Sequence, residues 1–279
     1  MKEYTPLIAQ ALSEDIGNGD HTSLSCIPKD AAGKAHLLIK QDGILAGVEV
    51  AMEVFRLVDS DLKIELFIPD GTEVKYGDIA FIVEGKSQSI LIAERLALNY
   101  MQRMSGIATH TAYLKNLIGP LKTKLLDTRK TTPNNRIFEK MAVKIGGGEN
   151  HRFGLYDMVM IKDNHIDYAG GIEAAISKTK TYLANNKIEI KIEIEARNLG
   201  EVSTILSSEK VDRIMLDNFS YADLTKAVAL IGDYAETEAS GGITEETIAD
   251  YAKCEVDYIS VGALTHQIKS LDLSLKAID

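Results

Sequence analysis

Residues 190–218 read IKIEIEARNLGEVSTILSSEKVDRIMLDN, and their order of patterns decides the fold. An apolar run, Ile190–Ile194, gives way to a helical pattern and then to a second run, Arg213–Leu216. Strand, helix and strand in that order imply parallel strands joined by a crossover helix. The pattern extends both ways after Pro120. Lys124–Leu126 and Met158–Ile161 precede it, and Ala235–Ala239 and Tyr258–Val261 follow. Six such units fit an α/β barrel, incomplete or open, better than an eight-stranded one.

Each run is followed by polar or glycine residues. In order these are Asp127-Thr128-Arg129-Lys130, Lys162-Asp163, Glu195, Asp217-Asn218, Ser240-Gly241-Gly242 and Gly262. The C-terminal ends of parallel barrel strands share one face, where polar residues bind or catalyse. The stretch 127–165 is the densest part of that face. From Lys122 to Lys162 there are 9 Lys and Arg against 4 Asp and Glu, in a chain of net charge −10. A basic island in an acidic protein suits a small, highly charged anion, and the acidic whole argues against nucleic acid or a membrane surface.

The residue types sharpen the chemistry. Arg129 and Arg152 offer planar forks for carboxylate or phosphate, and Lys130 and Lys162 offer compact charges. His151, beside Arg152 after the glycines Gly146–Gly148, is expected to face an anion. Ser240-Gly241-Gly242 and Val261-Gly262-Ala263 read as a phosphate cup, because glycine lets backbone amides approach an anion. Glu195 and Asp217, on successive strand ends, suit a divalent ion, sugar hydroxyls or a cationic transition state. Glu193 shares the parity of Glu195 and is expected to point inward one layer lower.

The first hundred residues mix strands and helices. Thr5-Pro6 reads as a helix N-cap and first position, with Tyr4, Leu7, Ile8 and Leu12 as the apolar stripe. Leu62, Ile64, Leu66 and Ile68 alternate as a strand with one buried face, and Asp70-Gly71 and Gly77-Asp78 predict antiparallel pairing. A helix is expected from about Ser87 to Ser105, broken at Gly106. The two cysteines, Cys26 and Cys254, form neither a zinc site nor a disulfide framework, which predicts a reducing compartment and a cytoplasmic protein. No apolar run reaches membrane-spanning length, and the first residues lack a signal-peptide pattern.

Eight segments carry a family resemblance, in the family's order. They are EDIGNGDHT (14–22), LNYMQRMSGIAT (98–109), DTRKTTP (127–133), GGGENHRFGLYDMVMIKDNH (146–165), EIEARNL (193–199), IMLDN (214–218), EASGGI (238–243) and ISVGALTH (259–266). Through them the chain resembles the quinolinate phosphoribosyltransferases. The resemblance implies an N-terminal α/β sandwich domain over 1–110 and a C-terminal open α/β barrel over 111–279. It implies transfer from phosphoribosyl pyrophosphate to quinolinate with decarboxylation, giving nicotinate mononucleotide, pyrophosphate and carbon dioxide. Magnesium is implied and an organic cofactor is not.

By matched motif, Arg129, His151 and Arg152 would hold the two ring carboxylates of quinolinate, Lys130 and Lys162 would meet carboxylate or pyrophosphate charge, and Thr128 would join the substrate-binding set. Lys130, Glu195 and Asp217 form the implied catalytic set, with Glu195 and Asp217 also holding the metal alongside the substrate phosphates. Ser240, Gly241, Gly242, Val261, Gly262 and Ala263 would hold the 5′-phosphate. The family resemblance further implies a homodimer or higher oligomer in which Arg103 reaches the neighbouring subunit's site. Asn134-Asn135 and Glu149 depart from the family pattern in loops. The segment 68–85 also resembles a biotinyl or lipoyl fold but has no acceptor lysine turn, so it reads as structural. Two alternatives remain: a molybdenum-transport-associated homologue with a different acceptor, and a non-catalytic protein that binds a phosphoribosyl compound.

Overall fold

The computed structural model describes residues 2–278. In chain order its helices are α1 (Thr5–Ile16), α2 (His21–Cys26), α3 (Val48–Val58), α4 (Ser87–Ile118), α5 (Arg136–Ile145), α6 (Asp163–Ala169), α7 (Ile172–Asn186), α8 (Leu199–Ser207), α9 (Tyr221–Ile231), α10 (Ile248–Lys253) and α11 (Ala263–His266). The strands are β1 (Ala32–Ile39), β2 (Gly43–Ile44), β3 (Lys63–Leu66), β4 (Glu73–Val74), β5 (Ile79–Lys86), β6 (Lys124–Leu126), β7 (Met158–Ile161), β8 (Lys191–Ala196), β9 (Arg213–Asp217), β10 (Glu236–Ser240), β11 (Tyr258–Ser260) and β12 (Leu273–Ile278). None of the described helices is long and apolar enough to cross a membrane.

Two compact units divide these elements, and the division is not a single cut near residue 110. The first unit takes in the chain up to Ala112, then Thr131–Gly147 and the chain from Ala263 onward; the second is Tyr113–Lys130 and Gly148–Gly262. Strand pairing explains the return of the chain's last part to the first unit. β12 pairs antiparallel with β1 from Ile39↔Leu273 to Lys34↔Ile278, in a sheet ordered β12-β1-β5-β3. Leu37 and Ile39 of β1, Phe81 and Val83 of β5, and Leu273 and Leu275 of β12 are buried. Phe55 of α3 meets Phe81 edge-on, with ring centroids 6.0 Å apart. Burying such an aromatic side chain contributes about 1.5–3 kcal/mol.

Three local expectations change in this unit. Tyr4, not Thr5, occupies the α1 N-cap position, because the Thr5 hydroxyl donates instead to Glu53 Oε1 at 2.7 Å. The face of β3 expected to be buried is only partly covered: Leu62, Ile64 and Ile68 are half-buried and Leu66 is 42% exposed. Gly106 does not break α4, which continues to Ile118. A Cβ at Gly106 would collide with the Lys269 carbonyl and lie 3.1 Å from Ser270 Cα, so glycine is required there for close backbone approach. Asn134 adopts a left-handed φ of 61°, which asparagine tolerates better than most residues.

The second unit is an all-parallel six-stranded sheet, ordered β6-β11-β10-β9-β8-β7 and open between its ends. This is the expected open barrel. Its strands carry two chemistries on alternate residues. Ile192, Ile194, Ile214, Leu216, Ala239 and Ile259 are buried on one parity. The helical stripes Ile172, Ile176 and Leu183 of α7, Val202 and Ile205 of α8, and Leu224, Ala227 and Ile231 of α9 are likewise buried. Their 3.6-residue spacing marks the faces that cover such a sheet. The other parity holds Glu193, Glu195, Arg213, Met215, Glu236, Glu238 and Ser240, and these side chains build the site.

Candidate active site

A cavity of about 330 Å³ opens in the second unit. Thr128, Arg129, Lys130, His151, Arg152 and Lys162 supply its donors, Met160 and Met215 its apolar walls, and Glu238, Ser240 and Ser260 further polar groups. A larger groove of about 520 Å³ in the first unit is lined by Glu49, Glu53 and Arg56 among apolar residues. There Arg56 is already paired with Glu53 at 2.7 Å, so no excess charge awaits a ligand. Converging cations single out the smaller cavity.

Local turns aim the side chains. Past β6, the Lys130 amide donates to Thr128 Oγ1 at 3.0 Å, folding the Thr128–Lys130 segment back on itself. Buried Asp127 accepts the His151 amide at 2.8 Å, which ties the TRK and NHR segments together. Arg152 donates from Nη1 to the Met158 carbonyl at 3.1 Å, and its guanidinium has a depressed pKa through burial first and the nearby Arg129 charge second. Two guanidiniums that repel one another are primed for an anion between them. Lys162, the N-cap of α6, donates its amide to His165 Nδ1 at 2.9 Å, and its Nζ lies 3.3 Å from Glu195 Oε2. The Glu195 carboxyl is pushed up by burial, pulled down by Lys162 and pushed up again by Asp217. Asp217 accepts from Asn218 Nδ2 at 2.6 Å.

The glycine loops are less uniform than their sequences. Gly241 and Gly242 have φ of 98° and 58°, and a Cβ on Gly241 would strike the Asn218 side chain. That loop is built for glycine. The Val261 amide, however, donates to the Leu126 carbonyl at 3.0 Å and is committed to the sheet. Ala263 opens α11 and falls in the first unit, as does Arg103. Arg103 is engaged there. It donates to Glu139 Oε1 at 2.8 Å and to the Thr265 carbonyl at 2.5 Å.

His151 is more deeply placed than expected. Its Nε2 lies 3.0 Å from Glu193 Oε2 and 3.3 Å from Glu238 Oε2, with both carboxylates buried. Burial lowers its pKa and the two carboxylates raise it, to about 9. That value describes an imidazolium, yet the Arg152 amide donates to Nδ1 at 2.7 Å and needs a lone pair there. An Nδ1 that accepts this hydrogen bond leaves Nε2 as the only nitrogen able to carry the proton of a neutral ring. His151, Glu193 and Glu238 present donor atoms within 4.8 Å of one another, a spacing compatible with a metal. Arg213 Nη1 already sits 3.1 Å from Glu238, so the cation of this cluster is a guanidinium.

Met160, Met215, Glu238 and Ser260 joined the pocket without having been singled out in the sequence. Strand parity was the available signal, since Met215 is in register with both Glu195 and Glu238.

A basic pocket at the C-terminal ends of an open parallel barrel, with acids at its rim, defines an enzyme of anionic group transfer. Residues 20–105 and 107–276 match the N-terminal and C-terminal domains described as quinolinate phosphoribosyl transferase. The chain belongs to the quinolinate phosphoribosyltransferase family. It is 48% identical to "Quinolinate phosphoribosyltransferase [decarboxylating] 1b" of Nicotiana tabacum over 97% of this chain and 81% of that protein. Among solved structures, NadC of Streptococcus pyogenes is 37% identical with a TM-score of 0.93, covering 99% of this chain and 98% of that one. The nicotinate-nucleotide pyrophosphorylase of Francisella tularensis is 42% identical with a TM-score of 0.91, covering 98% and 95%.

Proposed function

We propose that this protein transfers the phosphoribosyl group of phosphoribosyl pyrophosphate to quinolinate, with loss of carbon dioxide. The products are nicotinate mononucleotide and pyrophosphate, a step of NAD biosynthesis. The observation that carries the reading is the Arg129–Arg152 pair in a pocket walled by Met160 and Met215, with Lys162 and Glu195 paired beside it. Two forks suit two ring carboxylates, and polarisable thioethers suit the faces of a flat ring.

The quinolinate nitrogen lone pair attacks C1 of the ribose as the bond to pyrophosphate breaks. Glu195 and Asp217 stabilise the positive charge that develops on the sugar. The ring nitrogen is then cationic. When the adjacent carbon–carboxylate bond breaks, its electron pair stays on the ring carbon beside that cation, carbon dioxide leaves, and a solvent proton takes the vacated position. The Ser240-Gly241-Gly242 turn holds the 5′-phosphate, and Lys130 and Lys162 screen the pyrophosphate. Glu195 and Asp217 are hard oxygen donors of the kind magnesium takes, and their mutual repulsion fits a shared cation. Bound there with the substrate phosphates, magnesium would neutralise leaving-group charge.

The reading includes a homodimer in which α4 lends an arginine to the neighbouring site. Arg103 was the expected donor, but Glu139 holds it, while Arg95 on the same helix is exposed. Unbridged Cys26 and Cys254 support a cytoplasmic location. The test is a turnover assay with quinolinate and nicotinic acid as competing acceptors. Equal yields of mononucleotide and carbon dioxide from quinolinate alone are expected. Turnover of another acceptor only, or ligand binding with no turnover, would overturn the reading.

A further inference from the structure

Beneath the pocket runs a column of alternating charge that takes no part in the reaction steps. Lys191 Nζ lies 3.2 Å from Glu236 Oε2, and the same oxygen lies 3.1 Å from Arg213 Nη2. The other fork nitrogen of Arg213 meets Glu238 Oε2 at 3.1 Å, and Glu238 then faces His151 Nε2 beside Glu193. Arg213 also stacks over the Tyr258 ring at 4.0 Å, and the Tyr258 hydroxyl donates to Glu236 Oε1 at 3.2 Å. Register explains the column: Glu236 and Glu193 both sit opposite Arg213, and Glu238 is one inward step further along β10.

Glu193 and Glu238 are 0% exposed and Arg213 is 8% exposed. Withdrawing such charges from water is costly, and well-packed apolar residues often serve stability equally well. Stability therefore does not account for the column. Its upper end does. A neutral imidazole has one proton, and carboxylate oxygens 3.0 and 3.3 Å from Nε2 favour it there electrostatically, leaving the Nδ1 lone pair for the Arg152 amide. With the proton on Nδ1 instead, two N–H groups would point at each other. The Arg152 guanidinium has little else to aim it. Nη1 is on the Met158 carbonyl, Nη2 is 3.7 Å from Met160 Sδ, and Nε has no hydrogen-bond partner among the described residues.

We propose that Glu238, braced by Arg213, is a positioning residue that fixes the Nε2–H tautomer of His151 and thereby aims Arg152 at a substrate carboxylate. Glu193 Oε2 lies 3.0 Å from the same imidazole nitrogen, and Ser260 stands on the neighbouring strand β11. The inference rests on the proposed function only in taking the ligand of Arg152 to be the dicarboxylate.

Two measurements test it, and the first needs no substrate. Two-bond nitrogen–proton NMR of the histidine-labelled wild-type protein at pH 7.5 should show His151 neutral and protonated on Nε2. An Nδ1–H ring or an imidazolium would overturn the proposal. The second compares Glu238→Gln, which keeps an acceptor, with Glu238→Leu, which removes it. Calorimetry should show quinolinate Kd raised about tenfold or more in Glu238→Leu and less than about threefold in Glu238→Gln, since only the leucine leaves the buried donor without an acceptor. The Kd for phosphoribosyl pyrophosphate should stay within about twofold in both, because separate groups bind it. Equal losses for both ligands would reduce Glu238 to a folding role and overturn the proposal. If wild type binds no quinolinate, the functional reading fails while the tautomer result stands. Should Glu238→Leu not fold, the wild-type NMR measurement still decides.

Discussion

Arg152 and the rim acids carry the sharpest residue-level expectations. Arg152→Ala should weaken quinolinate binding by roughly 2–5 kcal/mol, since a carboxylate would be left unpaired in a desolvated pocket. Calorimetry on the folded variant checks this, and unchanged affinity would refute the assignment. Glu195→Gln and Asp217→Asn should lower kcat more than they raise KM, as removal of a transition-state interaction requires. Steady-state kinetics with each substrate varied would distinguish that pattern from a purely structural pair. Arg129, Lys130, Lys162, Glu195 and Asp217 were readable because each lies at the end of a strand run and the ends of parallel strands gather on one face, whereas His151 and Arg152 were read from the basic, glycine-punctuated stretch before β7. His151 lines the basic pocket, but the two buried carboxylates beside its Nε2 were not foreseen. The sequence shows that histidine follows three glycines, Glu149 and Asn150. It does not show which distant strands approach the ring, because that depends on sheet register. The pairing of Arg103 with Glu139 was hidden for the same reason, since Glu139 lies in α5, 36 residues along the chain.

At the level of elements, the six parallel strands were legible because most carry apolar residues at strand spacing, end on polar or glycine residues and are followed by a helical pattern. Gly106 misled because a glycine in a helical pattern signals either an end or a close neighbour, and only the fold supplies the neighbour. The contact between α1 and α3 yields a prediction of its own. Glu53 accepts from Arg56 and from Thr5, and these bonds, Arg56 foremost, outweigh burial to hold its carboxyl at about 2. The unfolded chain has a glutamate pKa of about 4.3. The folded value is depressed, so this stability is fully present above pH ~4.3 and is lost as the pH falls toward 2. Glu53→Gln should lower stability at pH 7 by about 1 kcal/mol, a figure already reduced for the solvent around Arg56. The Tm difference from wild type, about 2–4 °C at neutral pH, should shrink steeply between pH ~4 and ~2 and vanish below the folded pKa of about 2. A constant difference across that range would show that the ion pair is not its source.

For the whole molecule, the decisive question is whether one chain completes another's site. Inactive Arg103→Ala and Lys162→Ala proteins, mixed and allowed to exchange subunits, should recover roughly a quarter of wild-type activity if Arg103 acts across a two-fold interface. Recovery with Arg95→Ala in place of Arg103→Ala, and none with Arg103→Ala, would move that role to the exposed arginine. No recovery with either would remove it from α4. The two-unit organisation was foreseen, but its interleaving was not, since a terminal β-strand gives no sign of which sheet it will join. That strand bears on biosynthesis. β1 leaves the ribosome early, yet its neighbour β12 is Leu273–Ile278, so one side of β1 stays unsatisfied through most of translation. An unpaired strand side invites pairing with other chains. The sheet that β1 begins is thus completed only when β12 emerges, and a nascent chain stalled before Leu273 is the form a chaperone would need to guard.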